Sequence, residues 1–189
     1  ALTRSVKAIP MPAPWLSDRT KRWRKALSQS TAKRFDVLLM TDKLFHFPPT
    51  LYTNRAGRMD FLEQRCAWLE DVVRALSAAG LTVLHKPFDS MSALAQKDTI
   101  ARLERDLGVT YRLDQGFDKG LTEGLLGAAR LTVWDEPGTG WFECLLAGVP
   151  SLLFWPRLPL GEEPYARPGF EALEKSGVIH ASSASLARE

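Results

Sequence analysis

The stretch LTVWDEPGTGWFECLLAGVPSLLFWP, residues 131–156, decides the fold. Its first residues, LTVWD, are a short apolar run bounded by turn formers, and so read as a buried strand. Pro137 stiffens the turn that follows, Gly138 is free to take a positive φ, and Thr139 has the side chain of a helix N-cap. The spacing then predicts a short helix over Gly140–Ala147, a second turn, and another buried strand, PSLLFW. Strand, tight turn, helix, strand is the repeating unit of a parallel sheet.

The same alternation runs through the rest of the chain. FDVLLMT (35–41), LTVLHKP (81–87), VTYRLD (109–114) and VIHA (178–181) read as further strands. Between them, Phe61, Leu62, Cys66, Leu69, Val72, Val73 and Leu76 recur with helical period up to Gly80. One helix is predicted over Ser90–Asp106, with Leu94, Ile100 and Leu103 on its apolar side. Others cover Lys119–Ala129 and PGFEALEKSG (168–177). Strands that are almost continuously apolar are buried on both faces. The expected fold is α/β: a doubly wound, Rossmann-like parallel sheet of about six strands with helices on both faces, plus a basic N-terminal arm. Ligands in such a domain bind at the carboxyl ends of the strands.

Composition agrees with one globular domain: 189 residues, 45% hydrophobic and 25% charged, with a net charge of +3. Charge is unevenly spread, since residues 1–34 hold nine Lys or Arg and one acid, Asp18, and the remainder is net acidic. The expected division is a Pro- and Trp-containing arm or interdomain helix at 1–34 and a ligand-binding domain at 35–189. Within the arm, SDRTKRWRKALSQS fits a solvated helix that packs Trp15, Trp23 and Leu27 on a neighbouring domain. It also fits a basic surface for an anionic membrane or nucleic acid, with nucleic acid the less expected partner. No apolar run approaches the ~18–20 residues that span a bilayer, and the first residues do not resemble a secretory signal. The chain does not begin with Met, which fits a fragment or a processed form. Cys66 and Cys144 lack C-x-x-C spacing and read as free, buried thiols of a reducing compartment, so a cytoplasmic location is expected. The three histidines have no partners at ligand spacing, and no metal or other cofactor is expected. His85, at the end of a strand, reads either as a proton-transfer group or as a structural side chain.

The chemistry concentrates on Gly138, Thr139, Gly140 and Glu143. A helix N-terminus offers unpaired N–H groups to an anion, and a glycine lets a ligand approach the backbone. Glu143, one turn in, is placed to accept bonds from sugar hydroxyls. The turn is neither a G-x-G-x-x-G fingerprint nor a Walker loop, and the same residues also serve as a plain capped turn. Both readings stay open on spacing alone.

Sequence likeness adds to this. TGWFECLLAGVPSLLFW resembles the nucleotide-binding segment in the carboxy-terminal domain of GT-B glycosyltransferases. With TNRAGR (53–58) and EEPYARPGFEALEKSGVIHASSASLA (162–187), the chain is similar to a family of bacterial surface-carbohydrate transferases. Where that family has a Thr-rich turn and Leu-Glu, this chain has one threonine, Thr139, and Phe142-Glu143. The resemblance implies that Gly138, Thr139 and Gly140 hold the phosphates of a nucleotide-activated sugar and that Glu143 binds the ribose. It implies that Lys86, Arg112 and Arg55 add positive charge where the leaving phosphate forms. Structural alternatives stand beside these: Lys86 solvated at a strand end, and Arg112 paired with Asp114 or Asp118. The implied partners are a nucleotide sugar, a cell-surface polysaccharide or glycolipid acceptor, and a second Rossmann-like domain absent from this chain. No catalytic residue is identified. The competing expectation is a catalytically inactive Rossmann-like interaction or scaffold domain.

Overall fold

The structure is a computed structural model that describes residues 13–29, 33–44, 59–155 and 166–189. Six strands form one all-parallel sheet: β1 (Phe35–Met40), β2 (Val83–Lys86), β3 (Tyr111–Leu113), β4 (Ala129–Trp134), β5 (Ser151–Phe154) and β6 (Ile179–His180). Their order across the sheet is β3-β2-β1-β4-β5-β6. The central strand β1 pairs on one side with β2, Val37 beside Val83, and on the other with β4, Met40 beside Trp134. The expected doubly wound α/β fold is what the chain adopts.

Alternate side chains of each strand feed two cores, because successive side chains point to opposite faces. On one face Val37, Leu39, Val83 and Val133 meet α2 (Met59–Ala78), α4 (Lys97–Leu107) and α8 (Ser183–Leu186) through Leu69, Val73, Leu76, Ile100, Leu103 and Leu186. On the other, Leu38, Met40, Leu84 and Trp134 lie under α1 (Pro14–Gln29), α5 (Glu123–Ala128) and α6 (Thr139–Ala147). Helix α7 (Arg167–Lys175) closes the β6 end, with Phe170 against Trp155, ring centroids 5.0 Å apart.

The basic arm contributes α1 to the second layer. Trp23 is fully buried among Leu126, Cys144, Ala147 and Val149. Arg24 donates to the carbonyls of Leu146 and Ala147 (3.0 and 3.3 Å), where the end of α6 carries negative dipole. Arg22 bonds Glu123 at 2.6 Å. Arg22 and Arg24 thus tie α1 to this domain.

Two helices differ from expectation. The segment over Ser90–Asp106 is broken at Gln96 (φ −101°, ψ 8°) into α3 (Ser90–Ala95) and α4. Gln96 is 2% exposed, and the break turns Leu94 outward to 53% exposure. Helix α5 starts at Glu123 rather than Lys119, because Thr122 caps it by accepting from Leu125 N at 3.3 Å. The short α8, capped by Ser182, was not expected. Cys144 is buried as expected, whereas Cys66 is only half-buried.

Candidate functional site

The strand order reverses direction between β1 and β4, and there the carboxyl ends of β1, β2 and β4 open into a cavity of about 630 Å³. Thr41 and Asp42 enter it after β1, Lys86 and Asp89 at the end of β2, and Trp134 to Glu136 after β4. Gly138, Thr139, Gly140 and Glu143 come from the start of α6, and Arg19 reaches in from α1. Five of the seven residues expected at the site therefore share one cleft.

The turn differs in detail from its reading as a Thr-capped helix. Gly138 is the N-cap residue, at φ −82° and ψ 173°, so its backbone is ordinary extended and not left-handed. Trp141 N and Phe142 N both donate to its carbonyl, at 3.1 and 3.3 Å. Thr139 is the first helical residue, makes no side-chain cap bond, and presents to the cleft instead. Gly140 is required by packing: a Cβ there would lie 2.5 Å from Cη2 of Trp134. That indole is fixed by its own bond from Nε1 to Thr132 Oγ1 at 3.0 Å. Gly140 thus serves to seat an aromatic wall in the cleft.

Glu143 is not a free acceptor. Its side chain is 5% exposed, and Oε2 accepts from Trp23 Nε1 at 3.0 Å. The same oxygen lies 3.8 Å from Arg19 Nε. Arg19 stands over the rings of Trp15 and Trp23, 5.7 and 5.1 Å from their centroids. Cation–π attraction and the carboxylate together hold this guanidinium at the cleft wall. Sequence reasoning passed over Arg19; its signal was the spacing of Trp15, Arg19 and Trp23, four residues apart on one helix face.

Lys86 is buried, not solvated, and Nζ donates to the carbonyl of Pro87 at 2.8 Å. Burial pulls its pKa down, while the charges of Asp114, Asp118 and Asp89 oppose that fall. His85, beside it, lies on the other face of β2, with Nε2 3.0 Å from Thr41 Oγ1 and Nδ1 2.8 Å from Tyr111 OH. It is fully buried, and burial followed by the Lys86 charge lowers its pKa to about 3. A neutral imidazole with both nitrogens engaged is a structural group. His180 likewise bonds within its own turn, to Ser185 Oγ and Gly177 O. Among the described residues no group of His, Cys, Asp and Glu is arranged to hold a metal ion.

A buried acidic cluster at the switch point had no counterpart in the sequence reading. Asp135 Oδ1 accepts from Asp42 N at 2.7 Å, and Oδ2 accepts from Arg65 Nη2 at 2.5 Å. Burial raises the Asp135 pKa to about 6 against the pull of Arg65. Glu136, through a hydrogen bond shared with Asp42 and then through burial, is pushed up to about 8. At neutral pH Asp135 is therefore the ionised partner of Arg65, and Glu136 carries a proton. Both folded values exceed those of the unfolded chain, so the associated stability is full in acid and is lost as pH rises through about 6 and then about 8. Glu136→Gln removes the upper step. Its urea midpoint should gain on the native one between about pH 4.5 and pH 8 and hold that gain above; a gap that stays constant would mean that Glu136 does not titrate there.

Arg112 lies elsewhere: it lines a separate cavity with Arg34 and Lys119, and makes no ion pair with Asp114 or Asp118 among the described residues. Arg55 and His46 lie outside the described residues. No helix among those residues is long and apolar enough to cross a membrane.

An all-parallel sheet flanked by two helical layers, with a polar cleft at its switch point, defines a Rossmann-like α/β domain, a class whose ligand sites lie at the carboxyl ends of the strands. A family model described as LIC12162 family transferase matches residues 3–189. The chain belongs to that transferase family, and the match takes in the basic arm and α1. No curated protein and no solved structure matches the chain.

Proposed function

We propose that this chain is the donor-binding domain of a glycosyltransferase, which moves a sugar from a nucleotide-activated donor to a cell-surface polysaccharide or glycolipid. The observation that carries this reading is the meeting of the first turn of α6 with buried Lys86 and braced Arg19 in one cleft. Phosphates over the start of α6 would accept from its free N–H groups, with Lys86 and Arg19 opposing the charge that grows on the leaving group. Trp134 offers an aromatic face to the base or the sugar. Glu143 acts by orienting Arg19, in place of the ribose contact implied by family resemblance.

The acidity of the cleft is consistent with an anionic ligand once each carboxylate is followed to its partner. Glu136 is protonated, Asp135 faces Arg65, Glu143 faces Arg19 and Trp23, and Asp89 accepts from Ser92 N and Oγ at 2.7 Å. Asp42 shares a hydrogen bond with Glu136, and Asp118 Oδ1 accepts from Ser90 N at 3.4 Å. The catalytic base and most of the acceptor surface are assigned to a second Rossmann-like domain outside this chain. Calorimetric titration of CMP, UDP, GDP and TDP tests the reading. One nucleotide should bind, and Lys86→Met and Arg19→Gln should each weaken it about 10- to 100-fold, the cost of one charge-assisted hydrogen bond. A folded chain that binds none of the four would leave the scaffold reading in its place.

A further inference from the structure

A second cavity of about 580 Å³ lies against β2, β3 and α5. Phe35, Leu84 and Leu125 give it an apolar floor, while Arg34, Arg112 and Lys119 stand around it. Several other surface arginines are paired: Arg22 with Glu123, Arg74 and Arg102 with Glu70, Arg130 with Asp36. Arg34, Arg112 and Lys119 form no ion pair and no side-chain hydrogen bond among the described residues. Three unpaired cations facing one concavity repel one another, and an anion placed between them relieves that repulsion. Among the described residues Asp114 is the one acid lining this cavity, and it neutralises at most one of the three.

The loop between β3 and α5 forms the wall shared with the donor cleft. Asp118 and Gly120 line the cleft, whereas Lys119 lines the basic cavity. Left-handed backbone at Asp118 (φ 65°) and Gly120 (φ 62°) turns the chain on either side of Lys119. A non-glycine residue at positive φ is disfavoured, so the loop keeps this shape at a cost. The two cavities thus open on opposite sides of one short segment.

We propose that the basic cavity binds an anionic group, a phosphate or a carboxylate, carried on a body with an apolar face, and that it holds part of the acceptor beside the donor cleft. The acceptor role rests on the donor reading of the neighbouring cleft; the anion site stands on its own residues. Amide resonances of the ¹⁵N-labelled chain test it under titration with hexyl phosphate and with glucuronate, with inorganic phosphate and glucose as controls. Gly116 and Gly124 line the basic cavity, and Gly138 and Gly140 line the cleft. At least one organic anion should shift Gly116 and Gly124 saturably, and the responding probe distinguishes phosphate from carboxylate. Arg112→Gln and Lys119→Gln alter exposed side chains and should each weaken that binding about tenfold. Equal response to inorganic phosphate or to glucose, affinity unchanged in both variants, or no shift at Gly116 and Gly124 would overturn the site. Saturable binding here with no nucleotide in the cleft would overturn the acceptor role alone.

Discussion

Trp23→Ala is expected to cost about 3–5 kcal/mol of folding stability, the range for emptying a buried aromatic position. Trp23 is fully buried and joins α1 to α5 and α6, touching Leu126, Cys144 and Ala147. The substitution also removes the indole donor from Glu143, whose side chain is 5% exposed. A buried carboxylate short of a partner adds its own penalty. Trp23→Phe separates the two effects, because it keeps most of the apolar contact and loses only the hydrogen bond, at about 1–3 kcal/mol. Urea unfolding followed by far-ultraviolet circular dichroism measures both variants. A loss below about 1 kcal/mol in Trp23→Ala would mean that the arm helix does not pack as described. The consequence reaches the site as well: without the Trp23 ring, Arg19 loses one of its two aromatic supports. Nucleotide affinity should then fall in Trp23→Ala even where the fold persists.

Arg65→Met should cost about as much, 3–5 kcal/mol, for a different reason. Arg65 is 6% exposed and stands over the Trp68 ring as well as bonding Asp135. Removing it strands an ionised carboxylate at the switch point, with Asp42 and Glu136 close by. Breaking one side of a buried pair is expensive, whereas replacing both sides with apolar groups of similar volume is often neutral or better. The double variant Arg65→Met/Asp135→Leu should therefore recover much of the loss in urea unfolding. If the single and double variants are equally unstable, the ion pair is not what the cluster depends on. The loss in Arg65→Met should also shrink as pH falls below about 6, where Asp135 takes up a proton.

The sheet was legible because each strand is a compact apolar run between turn residues, as FDVLLM and SLLF show. The helix break at Gln96 left one sign: at about 100° per residue a continuous helix would set Leu94 opposite Leu103, so the two cannot share its apolar side. That Gln96 is the residue buried at the break was not legible, because tertiary packing decides it. The cleft followed from the fold class and from the turn before α6. Its polar wiring did not: Asp135 meets Arg65, 70 residues away, and Trp23 meets Glu143, 120 residues away. Such pairs exist only once strand order has placed β1 beside β4 and α1 across α6. Gly140 shows the same limit, because its reason is the ring of Trp134 and not its own turn. Arg112 lies within β3 at the sheet edge, and the order β3-β2-β1 sets it one strand beyond Lys86.

The central claim is that a nucleotide occupies the switch-point cleft with its phosphates at the start of α6. The most direct measurement is a ¹⁵N-resolved titration with the nucleotide that calorimetry selects, following the amides of Gly138, Thr139 and Gly140 and the indole of Trp134. The account predicts saturable shifts at these four groups, needing about 10- to 100-fold more nucleotide in Lys86→Met, while Gly116 and Gly124 stay in place. Binding that leaves the α6 turn and Trp134 unmoved, or that shifts only residues remote from the cleft, would contradict it.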